Sequence, residues 1–501
     1  MGLADVIVVG AGVIGLSIAE SLSRRGAGKV LVVDRGKICS GQTRLSGGLL
    51  RQHNADVEEV KLTVESLPFF RENAEQTGFT PLGFFAMGAP DDMDELAREA
   101  AAVRAVGVDN QLLDRQQLAG LQPDLSLEGL GGAVYEPRVG YADPVATTRF
   151  LGELAQQHGA VIREGITVHS VAVESGKVVG VVSDRGLLEA PRVVMAAGPW
   201  IPALVPELNL PIVPRRGQIS FFKRPDLQAE PAMWIDYTTG LFSRPHGPEH
   251  MLVGLGSWEF EPVEDPDKFR KINDREYINA VTTILSQRLP AVAGQGYVRG
   301  YAAIYDVTPD WGCILDRAPG IEGLFLAGGL SGTGFKKAPA IGRVMADLML
   351  EGKEPADSFR LARFARPAVH FARGPRQLPL MPIEPSWVKV GDPIAHAEIS
   401  TMTPDRMVAT GFWSCTEGEF EWHFDYDEMI VVQEGSVTIT DLGPGGKTQV
   451  LGPGDTATFP AGSSTYWRVT EAMRKYFVIR NPEPMPDQTN LGAVAPQMSV
   501  L

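Results

Sequence analysis

The opening stretch, Asp5 to Asp34, constrains the fold of this chain more than any other. Val6-Ile7-Val8-Val9 is a run of mostly β-branched residues, too short for a helix and suited to a buried parallel strand. Gly10-Ala11-Gly12-Val13-Ile14-Gly15 follows at once. The first glycine permits a tight turn, the second leaves the backbone bare for a pyrophosphate, and the third lets the helix pack close to the strand. Leu16 to Arg25 has helical spacing at Ile18, Leu22 and Arg25, with Gly26 and Gly28 to stop it. Lys29 to Val33 makes a second strand, closed by Asp34 and Arg35. The acid falls about 20 residues past the glycines, where a carboxylate accepts hydrogen bonds from ribose hydroxyls. A lone glycine turn says little; strand, turn, helix, strand and acid in register predict a dinucleotide-binding unit.

The rest of the chain must be built around that unit. Its 501 residues leave room for roughly two to four domains. With 44% apolar and 21% charged residues, the composition is that of a soluble globular enzyme. A formal net charge of -15 argues against general affinity for nucleic acid or anionic membrane. Cys39, Cys313 and Cys415 are odd in number and far apart, which suggests neither a disulfide framework nor a CxxC metal site. A reducing, cytoplasmic setting is expected. No basic segment precedes the first apolar run, which is better explained as a strand than as a signal peptide or membrane span.

After the second strand, Cys39 to His53 is rich in small residues, includes Ser40, Thr43, Ser46, Gly47 and Gly48, and carries Arg51 and His53 near its end. A flexible surface loop would have the same composition, but its place beside the dinucleotide turn favours contact with a ligand. Helical patterns cover Asp56 to Asn73, Asp91 to Val106, Asp114 to Leu121 and Val145 to His158. Thr167 to Val173 and Val178 to Val182 flank a glycine-containing turn and predict a hairpin, and Val193 to Trp200 is a buried strand ending in small residues. Residues 211–300 alternate strand-like runs with loops before a helix from Asp274 to Leu289, which fits a mixed sheet. Leu324 to Ala327 then enters the glycine loop Gly328 to Lys337, with a helix over Ala338 to Leu350. This second strand, loop and helix points backbone N–H groups and a positive helix end at an electron-rich ligand. Around Glu354 to Pro385 proline and arginine are frequent and the periodicity is lost, which predicts a linker. Beyond it, short strands at Tyr426 to Glu434, Ser436 to Asp441, Thr448 to Leu451, Asp455 to Pro460 and Tyr476 to Ile479 predict a small antiparallel barrel.

Three separated motifs are similar to one family. The opening unit, Ser46-Gly47-Gly48-Leu49-Leu50-Arg51, and the loop from Ala327 to Lys336 resemble the FAD-dependent oxidoreductases of the D-amino-acid oxidase superfamily, nearest the sarcosine oxidase, glycine oxidase and dimethylglycine dehydrogenase group. The resemblance spans roughly residues 5–355. It implies FAD held by Gly10, Gly12, Val13, Ile14, Gly15, Asp34 and Arg35, with Ser40, Thr43, Ser46, Gly47 and Gly48 near the flavin. Val168, Ala197 and Gly198 would lie near adenine and pyrophosphate, with Gly329, Ser331, Gly332, Thr333 and Gly334 under the isoalloxazine and Phe335 and Lys336 among the further cofactor contacts. It further implies that Arg51 and Lys336 bind a substrate carboxylate, which charge-assisted bonds would orient. The competing reading is that Lys336 and Lys337 cap a solvated helix. His53 and Tyr237 are further pocket candidates. Leu45 and Ala303 stand where some relatives attach flavin through histidine or cysteine, so noncovalent FAD is expected. The strand His250 to Gly254 lacks the lysine with which sarcosine oxidases activate oxygen, leaving oxidase and dehydrogenase both open.

The C-terminal module resembles a cupin. Metal-binding cupins gather three histidines and a glutamate, whereas this chain offers His423 and Glu428, with Asp425 and Thr465 in the other places. A metal-free cupin serving packing, dimerisation into a homo-oligomer or substrate access is the preferred reading. The expected fold class is α/β + β: a Rossmann-like FAD-binding domain with an interleaved mixed-sheet substrate domain, followed by a small cupin β-barrel. The first two occupy residues 1–355, with FAD-binding parts near 1–80, 145–205 and 300–355 and substrate parts near 81–144 and 206–299. A linker at 356–395, the cupin at 396–485 and a tail at 486–501 complete the division. The implied activity is oxidation of the C–N bond of a small carboxylate-bearing amine, with O2 or another electron acceptor. A D-amino acid, a polyamine conjugate or a 2-hydroxy acid would suit the same fold, and a flavin-bearing sensor without turnover is the alternative of a different class.

Overall fold

The strand Val6–Val9 is buried on both faces, and what covers each face follows from its alternation. Val6 and Val8 point into one cluster with Leu16, Ile18, Leu151 and Ile341 from three helices, Val13–Arg24, Pro144–Gln157 and Ala338–Glu351. Ile7 and Val9 point into another with Val178, Val181 and Leu188 from a three-stranded meander. This burial of both faces is what a parallel sheet requires. In the computed structural model, which describes residues 4–365 and 378–485 apart from 231, 257, 259, 295, 404, 405 and 484, the chain divides into two units, 1–365 and 366–501. The tail read at 486–501 lies outside the described residues.

In the first unit a six-stranded sheet runs in the order Ile314–Arg317, Leu324–Gly328, Val193–Met195, Val6–Val9, Val30–Asp34 and Val161–Glu164. All its pairs are parallel but the first. A nine-stranded mixed sheet is assembled from segments far apart in sequence, with Phe84–Gly88 parallel to Met233–Asp236 and antiparallel to Gly132–Glu136. Helix Arg275–Arg288 covers one face through Tyr277, Val281 and Leu285. The other face carries Phe84, Ala86 and Val134 into the cluster that also holds Phe335 of the glycine loop. The substrate-side segments are thereby turned toward the second glycine motif.

Several expectations need correction. The hairpin after Thr167 gains a third strand, Gly186–Glu189. The helix after the glycine loop starts at Ala338, but the end of the loop is itself a 3-10 turn, Phe335–Lys337. Lys336 and Lys337 are both buried, so they do not cap a solvated helix. The linker stretch carries structure at both ends. Asp357–Phe359 and Leu361–Ala365 are 3-10 turns of the first unit, and Val388–Val390 is a strand of the second. Residues 366–377 of it lie outside the described residues.

In the second unit an eight-stranded antiparallel sheet encloses the aromatic core Trp413, Phe420, Phe424, Phe459 and Trp467. Two strands expected on either side of Gly435 are one, Asp427–Asp441, with register shifts between Val432 and Val437. A bulge bends a strand without ending its ladder. The expected strand at Tyr476 is the end of Ser464–Arg480, which pairs with three neighbours.

Candidate active site

The glycine turn is shaped by close approach. Gly10 sits at φ +112°, and a Cβ there would lie 2.5 Å from the Ala196 carbonyl oxygen; a Cβ on Gly15 would lie 1.9 Å from the Gly10 carbonyl oxygen. Gly12 has no side chain with which to cap helix Val13–Arg24; the Val13 N–H donates to Thr43 Oγ1 at 3.3 Å from the neighbouring segment. Asp34 braces the turn from the next strand, accepting from Ala11 N at 2.8 Å and Gly36 N at 2.7 Å. These elements open on a cavity of about 860 Å³.

Most of the residues expected around a cofactor line this cavity. Gly10, Gly12, Val13, Ile14, Asp34 and Arg35 come from the opening unit, and Ser40, Thr43, Ser46 and Gly47 from the segment after it. Val168, Ala197, Gly198, Gly332, Gly334 and Phe335 complete the expected set. Gly15, Gly48, Gly329, Ser331, Thr333 and Lys336 are not in the wall. Gly15 holds helix to strand, Ser331 Oγ lies 3.3 Å from Thr308 N, and Thr333 accepts from Lys337 Nζ at 2.8 Å. Sequence reasoning missed Trp200 and Asp267, which engage Arg35: the guanidinium lies 4.4 Å from the Trp200 ring centroid and donates to both Asp267 oxygens. It also missed Asp306, a buried lining carboxyl that accepts from Leu330 N at 3.1 Å and whose pKa burial raises to about 6.

The glycine loop separates its two lysines. Lys337 is ion-paired with Glu59 in the interior and also donates to Thr333. Glu59 accepts from Cys313 N at 3.1 Å as well; burial opposes its charge, but the Lys337 ammonium holds its pKa below the ordinary range. Lys336 is 6% exposed, and its Nζ has no hydrogen-bond partner. Burial, and after it the Arg51 charge, press the Lys336 pKa well below that of an ordinary lysine.

Around Lys336 stand the other sequence candidates. Arg51 donates to the His53 carbonyl and lies 5.9 Å from the Phe84 ring centroid. His53 is buried, with Nε2 3.3 Å from a Glu99 carboxylate oxygen, and its ring lies 6.3 Å from that of Tyr237. Tyr237 keeps 47% of its surface exposed. One member was not foreseen: Glu136, 0% exposed, which accepts from Gln52 N at 2.9 Å through one oxygen and has no partner for the other. Burial raises its pKa, against the pull of His53, Lys336 and Arg51. A lone glutamate at a strand end carries no sequence signal.

The barrel of the second unit has a charged centre of another kind. Glu428 and Lys475, each side chain 4% exposed, are paired at 2.6 Å. The ammonium lies 4.8, 4.9 and 6.0 Å from the ring centroids of Trp467, Trp413 and Trp422. The donors do not fit a metal. Glu428 is engaged by Lys475, Thr465 Oγ1 is taken by Trp467 Nε1 and Trp422 O, Asp425 is exposed, and His423, 41% exposed, bonds Ser464. Both buried charges were legible in principle, since each sits at an inward position of its strand: Glu428 with Ile430 and Val432, Lys475 with Met473 and Phe477.

Fold and cavity together place the first unit among proteins that hold a dinucleotide cofactor beneath a substrate-facing sheet. Residues 5–348 match the family described as FAD dependent oxidoreductase, and the chain belongs to that family. Residues 402–477 match the EutQ-like cupin domain. Over 369 residues the chain is 26% identical to 4-methylaminobutanoate oxidase (formaldehyde-forming) of Paenarthrobacter nicotinovorans, covering 70% of this chain and 44% of that protein. It is 25% identical to the mitochondrial pyruvate dehydrogenase phosphatase regulatory subunit of Mus musculus, covering 70% and 42%. The chain thus spans less than half the length of these two relatives. The crystal structure of glycine oxidase from Bacillus cereus ATCC 14579 superposes with a TM-score of 0.60 at 25% identity, covering 70% of this chain and 96% of that one.

The cavity fits FAD. The positive end of helix Val13–Arg24, where the residue before the helix is a glycine, suits a pyrophosphate, and Asp34 suits a ribose; a Cβ at Gly10 would collide with the Ala196 carbonyl and one at Gly15 with the Gly10 carbonyl. Among the described lining residues there is no histidine or cysteine, and Leu45 and Ala303 are both in the wall. Among the described residues no helix is long and apolar enough to cross a membrane.

Proposed function

We propose that the first unit oxidises the C–N bond of a small carboxylate-bearing amine, secondary or N-methylated, to an imine that water splits into an aldehyde or oxo acid and an amine. The observation that carries this is Lys336, whose buried amino group has no hydrogen-bond partner and stands in the electrostatic reach of Arg51 at the end of the glycine loop. A cation costs several kcal/mol to bury unpaired. A carboxylate arriving between Lys336 and Arg51 removes that cost and is held in orientation by charge-assisted bonds. When bound, FAD would supply the acceptor for the hydride, which carries both electrons of the oxidation. The residues of the chain bind and orient: Arg51 and Lys336 fix the carboxylate, Phe84 backs the guanidinium, and His53 and Tyr237 border the site. FAD is noncovalent in this reading, because the wall positions matched to attachment sites hold Leu45 and Ala303.

Anaerobic mixing of the purified yellow protein with N-alkylated amino acids, D-amino acids, polyamine conjugates and 2-hydroxy acids tests it. Bleaching by carboxylated amines is the expected outcome. Readmitted air then separates oxidase from dehydrogenase by the speed of recolouring. Lys336→Met is expected to weaken a reacting carboxylated amine by about a hundredfold, the loss typical of breaking a buried charge pair. A second reading, binding without turnover, is supported by the kinship with a regulatory subunit. It takes over if no compound bleaches a flavin that dithionite reduces.

A further inference from the structure

We infer that Glu136 reads the amino end of the substrate, so that the site is built for an amino acid whose amine and carboxylate are close together. This rests on the reading of Arg51 and Lys336 as the carboxylate site. Glu136 lies directly across the strand pair from Phe84, which puts both side chains on one face of the nine-stranded sheet. That ring is the one beneath the Arg51 guanidinium. The neighbouring pair, Phe85 and Tyr135, stacks at 4.4 Å on the opposite face, away from the site. The register of the sheet therefore holds Glu136 beside Phe84 and its guanidinium, within electrostatic reach of Lys336.

Its bonding is incomplete. One oxygen takes Gln52 N; the other is buried with no partner, and so is Lys336 Nζ. Two buried ionisable groups, each short of a bond and each pressed by burial toward its neutral form, are costly, and an apolar side chain of similar size would be cheaper than either. A single ligand that presents an acceptor to Lys336 and a donor to Glu136 satisfies both. An α-amino acid does so, because its carboxylate and its N–H group are borne on one carbon. A polyamine without a carboxylate leaves Lys336 unsatisfied, and a 2-hydroxy acid offers Glu136 a neutral O–H in place of a cationic N–H. Without Glu136, the surrounding Arg51 and Lys336 would repel an ammonium group.

The test uses the FAD-loaded full chain in its oxidised state and two ligands that differ only by an amino group in place of the α hydrogen, isobutyrate and 2-aminoisobutyrate. The second has no hydrogen on its α carbon, so that carbon cannot lose a hydride, and binding is read from the perturbed flavin absorbance. Wild type is expected to prefer 2-aminoisobutyrate by about tenfold, the worth of one charge-assisted hydrogen bond. Glu136→Gln is expected to lose or reverse that preference while binding isobutyrate at least as tightly. The inference is overturned if wild type binds both equally or if Glu136→Gln keeps the wild-type ratio. Should the glutamine variant not fold, Glu136→Asp decides: a reduced but surviving preference supports the inference, and an unchanged one overturns it. The carboxylate reading fails separately, if Lys336→Met binds isobutyrate as tightly as wild type.

Discussion

At the scale of single residues, two adjacent lysines have opposite fates. Lys337 is satisfied inside the protein by Glu59 and Thr333, whereas Lys336 is buried with no such partner. Lys337→Met is expected to cost about 3–5 kcal/mol in denaturant unfolding, because it leaves the Glu59 carboxylate buried without its cation, with only the Cys313 N–H bond remaining. Replacing both, Lys337→Met with Glu59→Leu, is expected to recover most of that loss. The pH dependence follows from Glu59, whose pKa is lowered in the folded chain. Its contribution is present above the ordinary carboxylate range and is lost as acid takes the pH down through the lowered value. Asp306 has the opposite sign, since its folded pKa is raised to about 6. The native state then binds the extra proton between the ordinary aspartate range and about 6. Stability therefore falls as pH rises through that window, by on the order of 1–3 kcal/mol. Asp306→Asn is expected to flatten the curve there, as followed by melting temperature from pH 4 to pH 7.

At the scale of elements, the first strand, turn and helix form one rigid piece whose geometry depends on absent side chains. Gly15→Ala would place a methyl group 1.9 Å from the Gly10 carbonyl oxygen, so helix and strand must separate. The expected result is a folded or partly folded protein that no longer retains FAD, seen as loss of the visible absorbance relative to that at 280 nm after gel filtration. The glycine loop at the other end is tied down from beneath. Ser331 Oγ lies near Thr308, and Lys337 reaches Thr333 and Glu59 of helix Val57–Glu72. That is why Ser331 and Thr333, read as cofactor contacts, stand behind the wall of the cavity: small polar residues in a glycine loop bond their own backbone as readily as a ligand. The opening unit was legible because all its parts lie within one short stretch. The nine-stranded sheet was legible only as a mixed sheet, since its strand order joins segments with no local signal for each other.

At the scale of the whole molecule, the second unit shows what tertiary structure adds to a family pattern. In the aromatic interior, Glu428 holds Lys475. Glu428→Leu alone is expected to lower stability by about 3–5 kcal/mol, read by tryptophan fluorescence, because Trp413, Trp422 and Trp467 surround the orphaned cation. Glu428→Leu with Lys475→Met should recover most of it. Dialysis against a chelator is expected to leave the melting of the full chain unchanged; a fall would show a metal bound by donors other than these. The sequence by itself determined what depends on neighbours along the chain: the dinucleotide turn with its acid, the helices, the β-rich end and the family. The tertiary structure alone decided which charges meet. Arg51, Glu136 and Lys336 come from three distant segments, as do Lys337 with Glu59 and Lys475 with Glu428. The value of a buried charge is set by the partner that the fold brings to it or withholds, and nothing local in the sequence records that partner.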